Sequence, residues 1–165
     1  MAGYYSRLMS KVVYRYMEED DLKAVLAIER ASNPVPWSEK NFLDCLKKDY
    51  YCLIQEYQGK FSGFSITSFS LDEAHLLNIG VASRFRKKGL GTSLLDKLEL
   101  AAKAMGCKKV VLEVRKSNIN AINLYRNNNF KQVGLRKEYY RSSPNYEKED
   151  ALLFSKTVKR KWMLI

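Results

Sequence analysis

Apolar residues recur along this chain with two different periods, and the places where one gives way to the other mark out its elements. Lys11 to Tyr16 is rich in branched and aromatic residues and predicts a first strand. From Glu19 to Ser32 the period becomes helical, with Leu22, Val25, Leu26 and Ile28 on one face, Asp20 or Asp21 near the start and Asn33-Pro34 as the stop. Ser38 is placed to cap a second helix whose apolar side carries Phe42, Leu43 and Leu46. Tyr50 to Tyr57 and Phe61 to Phe69 then read as strands, joined into a hairpin by Gln58-Gly59-Lys60, and Glu73 to Val81 as their next neighbour. Leu90, Leu94, Leu95, Leu98 and Ala102 predict a helix from Leu90 to Met105, ended by Gly106, before a strand from Lys108 to Arg115. Ser117 to Tyr125 reads as a short helix capped by Ser117 or Asn118, and Phe130 to Tyr139 and Ala151 to Val158 as closing strands separated by polar residues. Strands that meander before position 82 and one that returns through a crossover helix together predict a mixed sheet with one parallel pair.

The junction between Val81 and that crossover helix carries the candidate chemistry. Arg86-Lys87-Lys88-Gly89-Leu90-Gly91-Thr92 joins a strand to a helix N-terminus through a basic, glycine-bearing loop. Unpaired N–H groups and the positive end of a helix dipole converge there, which suits a phosphate or pyrophosphate. Two familiar phosphate loops are excluded on their own terms. A dinucleotide fingerprint needs a third glycine where Leu94 stands, and a Walker loop needs its lysine after the glycine rather than before it. Further on, Asn118, Ala121 and Tyr125 are three and four apart and share one helix face. In the strand before them, alternation sets Val110, Leu112 and Val114 on one face and Val111, Glu113 and Arg115 on the other. By alternation alone Glu113 reads most simply as a surface carboxylate paired with a basic residue.

Composition narrows the classes. The 165 residues suit one domain, with 1–11 as an N-terminal extension, 12–158 as the folded domain and 159–165 as a basic and apolar tail. Its longest uncharged run, Phe61 to Leu71, is far short of the roughly 20 apolar residues of a membrane span, and Arg7 and Lys11 interrupt any leader-like segment, so a cytoplasmic protein is expected. Cys45, Cys52 and Cys107 share no metal-ligand spacing and His75 is the only histidine, so neither a disulfide framework nor a metal site is expected. The net charge of +11 favours anionic partners, among them a nucleotide coenzyme or ribosomal RNA, although a solvated basic face accounts for much of it.

Taken together, Arg-x-x-Gly-x-Gly after a strand and Asn-x-x-Ala-x-x-Leu-Tyr on the following helix resemble the acetyl-CoA site of the GNAT N-acetyltransferase superfamily. Asn33-Pro34-Val35-Pro36-Trp37-Ser38-Glu39, Asp72-Glu73-Ala74, Leu112-Glu113-Val114-Arg115 and Tyr139-Tyr140 extend the resemblance to the RimI-type branch, which acetylates the N-terminal alanine of a small-subunit ribosomal protein, the eighteenth. The resemblance implies an α/β fold: a single GNAT-like domain with a mixed, mostly antiparallel sheet flanked by helices and a splayed parallel strand pair at the acetyl-CoA site. It implies that Ile79, Gly80, Val81, Arg86, Lys87, Lys88, Gly89, Gly91, Thr92 and Asn118 bind acetyl-CoA, the co-substrate, without a metal. Glu113 would then be the general base and Tyr125 the general acid, with Glu73 or His75 the alternative base and Asn118 otherwise a helix cap. Trp37, Tyr139 and Tyr140 would border the acceptor peptide, where ordinary packing is the simpler reading of all three aromatics. Asn128-Asn129 stands where the family carries glycine, and Ser83 where it commonly carries proline.

Three functions follow from these readings. The first is a protein N-terminal acetyltransferase acting on the ribosomal protein by direct transfer, with a transient ribosome association and neither a membrane nor a specific nucleic-acid partner. The second keeps the coenzyme and changes the acceptor to a lysine side chain, a polyamine or another small amine. The third is a coenzyme- or RNA-binding protein without catalysis, against which the joint presence of Glu113 and Tyr125 argues.

Overall fold

A computed structural model of the chain describes residues 11–141, 144 and 147–159. The residues predicted for the N-terminal extension and the C-terminal tail lie almost wholly outside that range. Seven strands among the described residues form one sheet: β1 (Val12–Tyr16), β2 (Tyr51–Tyr57), β3 (Lys60–Ser70), β4 (Glu73–Val81), β5 (Lys109–Arg115), β6 (Lys131–Tyr140) and β7 (Glu149–Thr157), in the order β1-β2-β3-β4-β5-β7-β6. The helices are α1 (Leu22–Ser32), α2 (Glu39–Lys47), α3 (Leu90–Ala104) and α4 (Ile119–Asn127). The β1–β2, β5–β7 and β6–β7 pairs are antiparallel and β4–β5 is parallel, so the mixed α/β sheet expected from the hydrophobic pattern is present. Parallel pairing follows from α3, which carries the chain from the end of one strand back to the start of the next. That ladder is short: it joins Glu73–Leu76 to Lys109–Leu112, while β4 runs on to Val81 and β5 to Arg115.

The described residues group into two compact units, those within Met1–Ile66 and Asn78–Leu94, and those within Thr67–Leu77 and Leu95–Ile165. The first unit buries Val25, Phe42, Ile54, Phe64, Leu90 and Leu94. Its aromatic rings pack in series, Trp37 to Phe42 at 5.3 Å and Phe42 to Phe64 at 5.7 Å between centroids. A wholly buried glutamine fixes the start of α3. Gln55 Nε2 donates to the Leu90 carbonyl at 3.0 Å and to Tyr14 Oη at 3.2 Å, and Ser62 Oγ donates to Gln55 Oε1 at 3.1 Å. Tyr14 and Ser93 are joined hydroxyl to hydroxyl. Every polar atom of the Gln55 amide is thereby used, which removes the penalty of burying it.

The second unit buries Leu98, Ala102, Val110, Leu112, Ile122, Tyr125 and Phe154. Asn118 caps α4 by accepting the Ala121 N–H at 3.1 Å, and Asn129, at φ 66°, makes the left-handed turn that glycine usually makes after a helix. Cys45, Cys52 and Cys107 are free and buried, and burial pushes the Cys52 thiol up to about 12. Such thiols stay protonated and take no nucleophilic part. No helix among the described residues is long and apolar enough to cross a membrane.

Differences from the predicted elements are local. A separate 3-10 turn, Glu19–Asp21, precedes α1, with Glu18 and Asp21 forming a capping box. In α2 the buried pair is Phe42 and Cys45, while Leu43 and Leu46 are only half-buried, because a nine-residue helix presents a narrow stripe to its neighbours.

Gly80 shows how tightly the first unit is packed. A Cβ there would lie 2.7 Å from Phe64 Cε1 and 2.8 Å from Ile28 Cγ2, both fixed core atoms. Gly80→Ala is therefore expected to cost about 1–3 kcal/mol through overpacking, read as a lowered midpoint in chemical denaturation with an unchanged slope.

Candidate active site

In the first unit, Ile79, Gly80 and Val81 close β4, and a 3-10 turn (Ser83–Phe85) leads into the basic loop. Lys87, at φ 59°, and Gly89, at φ 77°, both adopt the left-handed conformation, and nothing lies within 4 Å of where a Cβ on Gly89 would stand. A lysine held there costs of order 1 kcal/mol, a strain that clusters at ligand-binding loops. Arg86 is exposed but bonded back to its surroundings, with Nε donating to the Val81 carbonyl at 3.3 Å and Nη2 to Ser32 Oγ at 2.8 Å. Lys87 and Lys88 are exposed, Gly91 and Thr92 half-buried in the first turn of α3. An exposed turn of this kind, with two lysines, an open glycine and the first N–H groups of a 15-residue helix, fits the diphosphate of a nucleotide coenzyme. Gly80, by contrast, is explained by packing alone.

The second unit assembles the titratable groups. Glu113 sits on β5 with its side chain 15% exposed, and each of its oxygens has a basic partner. His75 Nε2 of β4 lies 3.2 Å from Oε2, and Arg136 Nη1 of β6 lies 3.1 Å from Oε1. The surface-pair reading is thus half right: Glu113 has its arginine but is largely shielded from water. An ionised carboxylate only accepts, so this contact holds His75 as its Nε2–H tautomer or as imidazolium. Glu73, the other alternative base, is turned to Lys109 Nζ at 2.7 Å and is 41% exposed.

Tyr125 is buried on α4, its ring 5.8 Å from Phe130 and 6.2 Å from Phe154. Burial, and then Tyr140, push its phenol well above the ordinary tyrosine value, so it keeps its proton. Tyr140 is raised for the same first reason and then by the charge of Glu113. The Arg115 guanidinium stacks 4.2 Å from the Tyr140 ring centroid, and the Arg136 guanidinium lies 5.2 Å from that of Tyr139. Glu149 fastens this corner, accepting from Arg115 Nη1 at 3.2 Å and from the Ser117 N–H at 2.6 Å. The structure therefore groups Glu113, Tyr125, Tyr139 and Tyr140 within one unit, and gives the Asn118 side chain a capping bond.

Sequence reasoning missed Glu29. It is 3% exposed on α1, and its carboxylate takes three donors: Asn33 Nδ2 at 3.0 Å, the Trp37 N–H at 2.9 Å and Asn78 Nδ2 at 3.1 Å. Trp37 is half-buried in the loop so held. The signal was present, since Glu29 follows Val25, Leu26 and Ile28 on the inward side of the helix, where a charged residue needs partners.

Comparison with known proteins places these features in a class. The acetyltransferase (GNAT) family matches residues 22–130, and the chain belongs to that family. It is an N-acetyltransferase by that membership. It is 36% identical, over 84% of its own length and 93% of the relative's, to the [ribosomal protein bS18]-alanine N-acetyltransferase of Escherichia coli K12. The crystal structure of the ribosomal-protein-S18-alanine N-acetyltransferase from Escherichia coli superimposes with a TM-score of 0.80 at 32% identity, covering 93% of this chain and 98% of that one. Ard1 from Thermoplasma volcanium shares the fold, with a TM-score of 0.81 at 24% identity over 91% of this chain and 99% of its own.

Glu149 supplies a pH test of the corner it fastens. Burial raises its carboxyl, but the bonds from Ser117 and Arg115 outweigh that and leave it below its ordinary value of 4.5. A depressed folded-state value stabilises the fold fully above the unfolded value and loses that contribution as pH falls through the folded one. Glu149→Gln is expected to cost about 1–2 kcal/mol at neutral pH, with the difference from the parent shrinking below about pH 4 in denaturation curves.

Proposed function

We propose that this chain transfers the acetyl group of acetyl-CoA to the α-amine of a protein N-terminus, in the cytoplasm, with the N-terminal alanine of the eighteenth small-subunit ribosomal protein as the favoured acceptor. Transfer is direct, in a ternary complex, and recruitment to the acceptor involves transient contact with the ribosome. The reading is supported by the names of the similar enzymes and by the match over nearly their whole length. The observation that carries it is Glu113, a shielded carboxylate flanked by His75 and Arg136.

Acetyl-CoA supplies an acyl group activated as a thioester. Lys87, Lys88 and the N–H groups of the Gly89–Thr92 turn would hold its diphosphate, and the backbone of Ile79, Gly80 and Val81 its extended arm and acyl carbonyl. Arg86 would act by fixing the loop to Val81 and Ser32, and Asn118 by setting the start of α4. Glu113 takes the proton from the incoming amine, directly or through water. An α-amine has a pKa of roughly 8, so a carboxylate has only a modest task near neutral pH. As the C–N bond forms and the C–S bond breaks, Tyr125, kept protonated by burial, returns a proton to the departing sulfur. Trp37, Tyr139 and Tyr140 line the acceptor peptide.

One observation favours a second assignment of the base. His75, 3.2 Å from Glu113, would take the proton while Glu113 orients its ring. The acceptor alternatives are less well served. Arg136 and Arg115 lie at the same corner, and two guanidinium charges there disfavour a polyamine.

Mass spectrometry of peptides and polyamines incubated with enzyme and acetyl-CoA tests the acceptor, with selective labelling of an N-terminal alanine expected. Labelling confined to lysine side chains or polyamines would move the function to the second class. In the same assay Glu113→Gln is expected to lower kcat by about 10²–10⁴, and Tyr125→Phe to lower it while leaving peptide KM in place. A larger loss in His75→Asn than in Glu113→Gln would reassign the base.

A further inference from the structure

The loop between α1 and α2 contains Pro34-Val35-Pro36-Trp37, and its two prolines carry no N–H. Only Val35 and Trp37 can donate from that backbone. Both donors are committed: the Val35 N–H to Asn33 Oδ1 at 3.2 Å and the Trp37 N–H to Glu29 Oε1 at 2.9 Å. Asn33 in turn donates to Glu29 Oε1 at 3.0 Å, so one carboxylate governs both bonds. The remaining Glu29 oxygen accepts from Asn78 of β4 at 3.1 Å, one residue before Ile79, Gly80 and Val81. Among the described residues no lysine, arginine or histidine forms an ion pair with Glu29, although it is 3% exposed.

A buried carboxylate met only by neutral donors is costly, and it persists where all of its bonds are made at once. A glutamine or a leucine would suffice to fill the space. What the carboxylate adds is acceptance of donors from three places, the cap of α1, the Trp37 loop and the middle of β4. With both N–H groups turned inward, the loop backbone can meet a peptide only through carbonyl oxygens, which suits an acceptor arriving with an α-amine and peptide N–H groups to donate.

We propose that Glu29 is a positioning residue for the acceptor peptide: by holding Trp37, Asn33 and Asn78 together it sets the Pro34–Trp37 loop, as a donor-free acceptor-binding edge, in register with the coenzyme-binding end of β4. The inference rests on the reading of a peptide acceptor given above. Glu29 touches neither substrate and contributes no proton.

The test combines steady-state kinetics with a fluorescence readout independent of turnover. Glu29→Ala is expected to raise the KM for an alanine-starting peptide about 10-fold while kcat and the KM for acetyl-CoA stay within about 3-fold of the parent, the pattern of lost uniform binding. Glu29→Gln recovers most of that loss, because its oxygen keeps Trp37 and Asn33 and the Asn78 amide can turn to present its own oxygen. Asn78→Asp sets two carboxylates against each other and should raise the peptide KM as well, with Glu29→Gln added to it as the rescue. This pair keeps the test open should Glu29→Ala fail to fold. In a Trp162→Phe background, Trp37 emission should become more accessible to acrylamide in both single variants that break the tie. Unchanged quenching, or peptide and coenzyme KM values rising together without rescue, would overturn the proposal. If the parent acetylates no α-amine, the peptide reading fails, and the quenching still decides whether Glu29 holds the loop.

Discussion

Strands β4 and β5 run side by side in the same direction, and a parallel pair cannot be closed by a tight turn. The chain must leave the end of β4, travel back along the sheet and begin again at the start of β5. Much else depends on that one requirement. It creates the turn and loop at positions 82–89, it demands a helix as long as α3, and it puts that helix's N-terminus just after the strand whose backbone would hold the coenzyme arm. The loop is then free to be exposed, basic and left-handed at Lys87 and Gly89, because neither sheet nor core asks anything else of it.

Carboxylates organise the rest. In a chain with a net charge of +11, several half-buried or buried glutamates collect donors, among them Glu29 in the first unit and Glu113 and Glu149 in the second. Their settings differ, and so do their roles. Glu29 meets only neutral N–H groups and so ties segments together. Glu149 meets a guanidinium and a backbone N–H and so locks a corner. Glu113 meets a histidine and an exposed arginine, partners that can be exchanged for a substrate amine or a water, which is why it is the proposed base.

The sequence's periodicities and its capping residues were enough to place nearly every strand and helix. Ser38, Asn118, Gly106 and Asn129 act where local backbone chemistry says they should, since a cap or a left-handed turn depends on a few adjacent residues. The extra 3-10 turn before α1 and the exchange of Cys45 for Leu46 on α2 escaped because they depend on how a short helix meets its neighbours. Candidate chemistry was partly legible in the same way. Alternation put Glu113 opposite the core face, and α4 carried Asn118 and Tyr125 together, but neither could say that Arg86 bonds back to Val81 and Ser32 or that Gly80 is a glycine because Phe64 and Ile28 leave no room.

What the sequence by itself determined is the order of elements and the basic loop, because each follows from interactions a few residues apart, and the parallel crossover, because a strand, a long helix and a strand in succession admit few other connections. Only the tertiary structure decided that Glu29 gathers Asn33, Trp37 and Asn78, and that His75 and Arg136 share Glu113. Those partners stand between 4 and 49 residues away along the chain, the nearest being the residue that caps the end of the same helix. A buried charge announces that it needs donors, but which donors reach it is settled by packing, and packing has no local signature.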